Sequence, residues 1–121
     1  MTSSRVYKIT VFVPPTAMEL LLEGVLKVTT LAYGSYDQVL WRSSPGVEQF
    51  RPLANARPTA GKIGELSAQP SSQLIFTVPR DERLLSELLA ALVQVHPWEQ
   101  PVILVEEALV VVQEYVGSAE R

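Results

Sequence analysis

Cysteine is absent from the 121 residues, which removes both a disulfide framework and any thiolate metal site. The lack fits a reducing compartment. Histidine occurs once, at His96. Without cysteine or a second histidine the familiar nucleophilic triads cannot be assembled in one chain, and no serine sits in a recognisable nucleophile motif. No catalytic residue is assigned, and enzymatic activity is not required by anything in the chain. Basic charge is also scarce, with 10 Lys and Arg against 13 Asp and Glu, a net charge of -3 and a pI near 5.1. Those basic residues are scattered, so the clustered positive charge that binds phosphate backbones is missing and nucleic acid is excluded as a partner. No apolar run approaches the length of a bilayer span, and Met1-Thr2-Ser3-Ser4-Arg5 is not followed by an apolar leader. The expectation is a cytoplasmic protein with no membrane partner.

What is present is apolar residues, 47% of the chain, enough for one domain over residues 1–121 with a real core. Val6 to Val13 reads as a central strand, with Tyr7, Ile9, Val11 and Val13 on one face. Pro14-Pro15 ends it. Thr16 and Glu19 form a capping-box pattern for a helix to about Val28, with an apolar stripe of Leu21, Leu22, Val25 and Leu26. Gly24, in mid-helix, marks a close approach of helix to sheet. After the turn at Tyr33-Gly34-Ser35-Tyr36, Asp37 to Ser43 reads as a strand, Ser44-Pro45-Gly46 turns the chain back, and Val47 to Leu53 is a short returning strand. Ala54 to Gln69 is a loop of functional length. Leu74 to Val78 is a strong strand. Asp81 and Glu82 open a second helix, where negative charge suits the dipole, and Leu84, Leu85, Leu88, Leu89, Leu92 and Val93 supply its apolar face. Val102 to Val105 and Leu109 to Val112 are strand-like around Glu106-Glu107-Ala108, and the tail from Gly117 is expected to fray.

This order is the βαββαβ plan with an extra hairpin and loop in the middle, an α+β sandwich of two helices on one face of an antiparallel sheet. The other face is open. An open apolar sheet face is commonly covered by a second subunit, and Leu109 to Val112 is suitable material, so a homo-oligomer is expected.

The seven residues Val95-His96-Pro97-Trp98-Glu99-Gln100-Pro101 form a corner between helix and strand, because each proline pushes its predecessor out of the helical region. His96 and Glu99 are candidate metal ligands, since imidazole and carboxylate suit zinc or copper. Two ligands do not hold a catalytic metal, so a divalent ion as cofactor would need groups from a neighbouring subunit or from the 54–69 loop. The structural alternative has His96 capping the helix C-terminus and Glu99 accepting backbone amides. In the loop, Arg57, Gly61, Lys62 and Gly64 are candidates for a ligand site, because glycines bare the backbone and the cations attract an anion. Ile63 stands where a Walker motif needs Ser or Thr, and turn chemistry explains the glycines equally. Trp98 and Trp41 suit stacking on a ring or, more commonly, packing at an interface.

Several stretches together resemble the CutA-like domain inserted in the longer, YqfO-type members of the Nif-three-like family, and its small free-standing relatives. They are Tyr7-Lys8-Ile9-Thr10-Val11-Phe12-Val13-Pro14, Gly34-Ser35-Tyr36-Asp37 with Trp41, Gln49-Phe50-Arg51-Pro52-Leu53, Ala56-Arg57-Pro58-Thr59 with Gly61 and Gly64, Val78-Pro79, and His96-Pro97-Trp98-Glu99-Gln100-Pro101. The resemblance implies a ferredoxin-like fold of the CutA and PII kind, assembly as a trimer rather than a dimer, and a small anionic ligand at the middle loop, near a cleft between subunits. It also implies departures, including Val39 where relatives often carry cysteine. The His-, Asp- and Glu-rich flanking halves that build the two-metal site of full-length relatives are missing, so hydrolase activity is not carried over. The reading that follows is a homo-oligomeric binding or regulatory module. The alternatives are a metal-dependent enzyme with a site shared between subunits and an assembly piece for a protein partner.

Overall fold

The computed structural model describes residues 1–113; the tail from Gly117 lies outside the described residues. The elements in chain order are β1 (Thr2–Val13), a 3-10 turn at Pro15–Ala17, α1 (Met18–Val28), β2 (Trp41–Arg42), β3 (Gly46–Phe50), β4 (Ser67–Pro79), α2 (Glu82–Val95) and β5 (Ile103–Val112). All the strand pairings are antiparallel, in the order β2-β4-β1-β5, with β3 also on β4. β1 is central as its pattern predicts, running against β4 from Val6↔Pro79 to Val13↔Ser72 and against β5 from Thr2↔Val112 to Val11↔Ile103.

Alternation decides which face is buried. Ile9, Val11 and Val13 of β1 and Leu74, Phe76 and Val78 of β4 point to the helices and meet Met18, Leu21, Val25, Leu88 and Leu92. Each such side chain, almost fully withdrawn from water, contributes about 1.5–3 kcal/mol. The Asp81 side chain caps α2 by accepting from the backbone N–H groups of Arg83 and Leu84. Among the described residues no helix is long and apolar enough to cross a membrane.

Five local expectations are corrected. α1 has no capping box: Pro15 starts a 3-10 turn, which displaces the helix start to Met18, and Ala17 stands at the N-cap. Gly24 faces the other helix, where an added Cβ would lie 3.1 Å from Cγ2 of Val95. Val93 is 54% exposed, on the wet side of α2. Ser44-Pro45-Gly46 does not reverse the chain: Trp41 pairs with Ile75 and Gly46 with Ser71, so β3 continues β2 along the same edge of β4 after a local bulge. Glu106-Glu107-Ala108 does not interrupt β5, because at a sheet edge these side chains reach solvent while the backbone pairs with Val6, Tyr7 and Lys8.

β4 also begins earlier than its apolar core suggests, and Ser67–Ser71 pairs only with β3. Pro70 is tolerated there because β4 pairs with β1 only from Ser72 onward, so no neighbour on that side requires its missing N–H. The β3–β4 hairpin therefore projects as a two-stranded arm beyond the helix-covered core, carrying the 51–66 loop at its tip. That places the loop beside the corner between α2 and β5.

Candidate functional site

Pro97 sets the geometry of the corner. His96, ahead of it, adopts φ -64 and ψ 135, ending α2 while its own N–H still donates to the Leu92 carbonyl. The imidazole turns inward and is 6% exposed. Its Nε2 lies 2.7 Å from the Phe12 carbonyl oxygen, which can only accept, so Nε2 carries the proton; Nδ1 then accepts from the Trp98 backbone N–H at 3.1 Å. Both nitrogens are thus engaged in the neutral ring. Burial lowers the pKa below the ordinary 6.5, partly opposed by the Phe12 carbonyl and the Glu48 carboxylate. The side chain does not serve the positive-charge role expected at a helix C-terminus. It locks the corner to β1.

The next residues hold the loop. Glu99 Oε1 accepts from the Arg57 backbone N–H at 2.8 Å, and the Thr59 hydroxyl donates to the Pro97 carbonyl at 3.0 Å. Glu99 thus takes a backbone amide as the structural reading expected, from the loop rather than from the corner itself. The Trp98 ring sits 5.6 Å from Phe50 and 5.9 Å from His96, both tilted, a spacing that favours aromatic pairs. At the loop base the Gly64 N–H donates to the Pro52 carbonyl at 2.7 Å. Gly61 and Gly64 have φ of +85 and +79, which explains their identity by backbone conformation.

Between arm, loop and corner lies a cavity of about 430 Å³. Phe50, Pro52, Ala56, Pro58, Trp98 and Val102 form its apolar walls, and Glu48, Arg51 and Glu99 bring charge to it. Of the sequence candidates, Trp98 and Glu99 line this cavity and His96 stands behind Trp98. Arg57 contributes its backbone N–H to the Glu99 latch, whereas Gly61, Lys62 and Gly64 shape the loop away from the wall. The residues missed are Glu48, Phe50, Arg51 and Thr59. Their available signal was an aromatic, a cation and a proline together where a strand enters a long loop. Among the described residues no three His, Asp or Glu groups converge as a metal site.

No family model matches the chain. Over 100 residues, 83% of its length, it is 27% identical to proteins named GTP cyclohydrolase 1 type 2 homolog from Staphylococcus epidermidis and Halalkalibacterium halodurans. The chain spans about a quarter of the length of these curated relatives, 26% in each case. A solved Bacillus cereus protein related to NIF3 superposes with a TM-score of 0.71 and 21% identity, covering 89% of this chain and 27% of that one. CutA1 from Oryza sativa superposes with a TM-score of 0.61 and 14% identity over 99% of this chain and 89% of its own. The Bacillus subtilis GlnK–ATP complex gives a TM-score of 0.55 and 13% identity over 89% and 85%. The chain is thus similar over most of its length to a part of the Nif-three-like proteins, consistent with the sequence resemblance, and its fold is that of the CutA and PII-like proteins.

Proposed function

We propose that this chain is a small homo-oligomeric binding module, assembled through its uncovered sheet face and carrying a small ligand beside the corner. One row of residues supports the assembly. Trp41 pairs with Ile75, Ile75 with Thr10 and Thr10 with Leu104, a continuous line across four strands on the face away from the helices. Trp41 is 63% and Leu104 48% exposed, although both are large and apolar. A second copy laid on this row would remove it from water. The family resemblance supports three copies over two.

The ligand role rests on the cavity between loop and corner. Its size is that of small-molecule sites, and its walls are apolar with few charged groups. Arg57 and Lys62 lie outside the wall, so an anion there would be met by Arg51. The GlnK neighbour, solved with ATP, supports ligand binding on this fold. Since the chain spans about a quarter of its curated relatives, the activity in their name is not proposed for it. That same partial span supports a second reading, in which the domain is an assembly piece for a larger partner.

Native mass spectrometry on untagged protein, repeated after mild denaturation, tests the reading. An oligomer that releases a bound small mass is the expected result. A bare monomer overturns it, and an oligomer or complex without small mass favours the assembly reading.

A further inference from the structure

We infer that the cavity beside Trp98 takes a zwitterionic amino acid with an apolar side chain, an inference that rests on the binding role proposed above. Glu48 and Arg51, three residues apart at the end of β3, line the same cavity with opposite charges. They do not pair with each other. Among the described residues Arg51 has no ion pair, and the Glu48 carboxylate is held only by the Ser71 hydroxyl at 2.9 Å. The bond from Ser71 fixes the position of Glu48 without neutralising it.

Two unpaired opposite charges in a largely apolar cavity are complementary to a ligand carrying both signs, attached to an apolar body. An α-carboxylate on Arg51 and an α-ammonium on Glu48 meet that demand. The body then lies against Trp98 and Phe50, whose paired rings offer a firm aromatic surface. Ligands of one sign fit worse. An anion would meet Arg51 but face Glu48 and Glu99 as well, and a simple amine would meet Glu48 but leave Arg51 unpaired.

The test is isothermal titration calorimetry of the full chain with L-phenylalanine, phenethylamine and 3-phenylpropionate, accompanied by native mass spectrometry of the same sample. L-Phenylalanine should bind, and each single-charge analogue should bind at least about tenfold more weakly, as expected when a charged hydrogen bond is lost. Arg51→Gln and Glu48→Gln should each weaken L-phenylalanine by a similar factor; Arg51→Gln is read at an exposed site, and unchanged unfolding temperatures establish that both variants fold. No binding by L-phenylalanine or L-leucine at millimolar concentration overturns the inference, as does unchanged affinity in both variants. Should the protein instead be an oligomer carrying some other small mass, the amino-acid inference fails while the binding-module reading stands. A monomer that binds L-phenylalanine leaves this inference intact and sinks the oligomer.

Discussion

His96 Nε2 donates to the Phe12 carbonyl at 2.7 Å, joining the start of the α2–β5 corner to the end of β1 across 84 residues of sequence. The same ring accepts from the Trp98 N–H, so one neutral imidazole sets both the position of the corner and the orientation of the tryptophan in the cavity wall.

Replacing His96 with alanine leaves the Phe12 carbonyl and the Trp98 N–H without these partners, at about 1–3 kcal/mol for each group that stays buried. His96→Gln retains an N–H donor and is expected to lose less. Urea unfolding of the two variants checks the order; equal stability of wild type and His96→Ala would remove His96 from its locking role.

Acid should loosen the corner. The folded pKa of His96 lies below 6.5, so above 6.5 the ring is neutral in both states and its contribution to stability is complete. As the pH falls through 6.5 the unfolded chain binds the proton first, and stability is lost until the folded ring also titrates, with a slope of at most about 1.4 kcal/mol per pH unit from this group. A proton on Nδ1 also conflicts with the Trp98 N–H. Unfolding free energies of wild type and His96→Gln between about pH 7 and pH 5 should diverge, wild type having the steeper fall. Parallel curves would contradict the buried neutral ring.

Glu99→Ala removes the acceptor for Arg57 N–H, and Thr59→Ala removes the bond to Pro97. Together they should raise tryptic cleavage after Lys62 several-fold, by about the factor that local opening allows, while the core unfolds as before. Glu99→Gln keeps a carbonyl oxygen and should stay close to wild type. A loop no more cleavable in the double alanine variant would show that these two bonds do not hold it.

Trp41→Lys and Leu104→Lys place charge on the exposed row while sparing the core. Each is expected to shift assembly toward monomer in sedimentation or light scattering, with monomer stability changed by no more than about 0.5 kcal/mol, as at other surface sites. Unaltered mass in both variants would put the interface elsewhere.

At Gly24 two effects oppose each other. Alanine gains up to about 1 kcal/mol of helix propensity but brings a Cβ within 3.1 Å of the Val95 side chain, so the net change should be small. Gly24→Leu cannot be accommodated without separating α1 from α2 and should cost about 1–3 kcal/mol in chemical unfolding. A leucine variant as stable as wild type would show that the helices yield there.

Much of the fold was legible because its signals are local. The alternation of β1, the apolar repeat of α2 behind Asp81, and the prolines at 79, 97 and 101 each act through the conformation of a few neighbouring residues. The corner was legible for the same reason. The arm was harder to read: Pro70 and the serines of β4 argue against a strand when taken alone, and only pairing with β3 on one side, with no β1 partner before Ser72 on the other, permits it. The glycines and cations at 57–64 drew attention to the loop, but the cavity is walled by Phe50, Arg51 and Pro52 at its base instead.

The sequence by itself determined the element order, the buried faces of β1 and β4, and the place where α2 must stop, because proline geometry and hydrophobic period need no distant partner. Tertiary structure decided that β3 continues β2, that Gly24 admits Val95, and that His96 serves as a neutral lock with neither nitrogen free. Those outcomes depend on which backbone groups arrive beside a side chain from far along the chain, and a hydrogen-bond partner at Phe12 has no signature in the residues around His96.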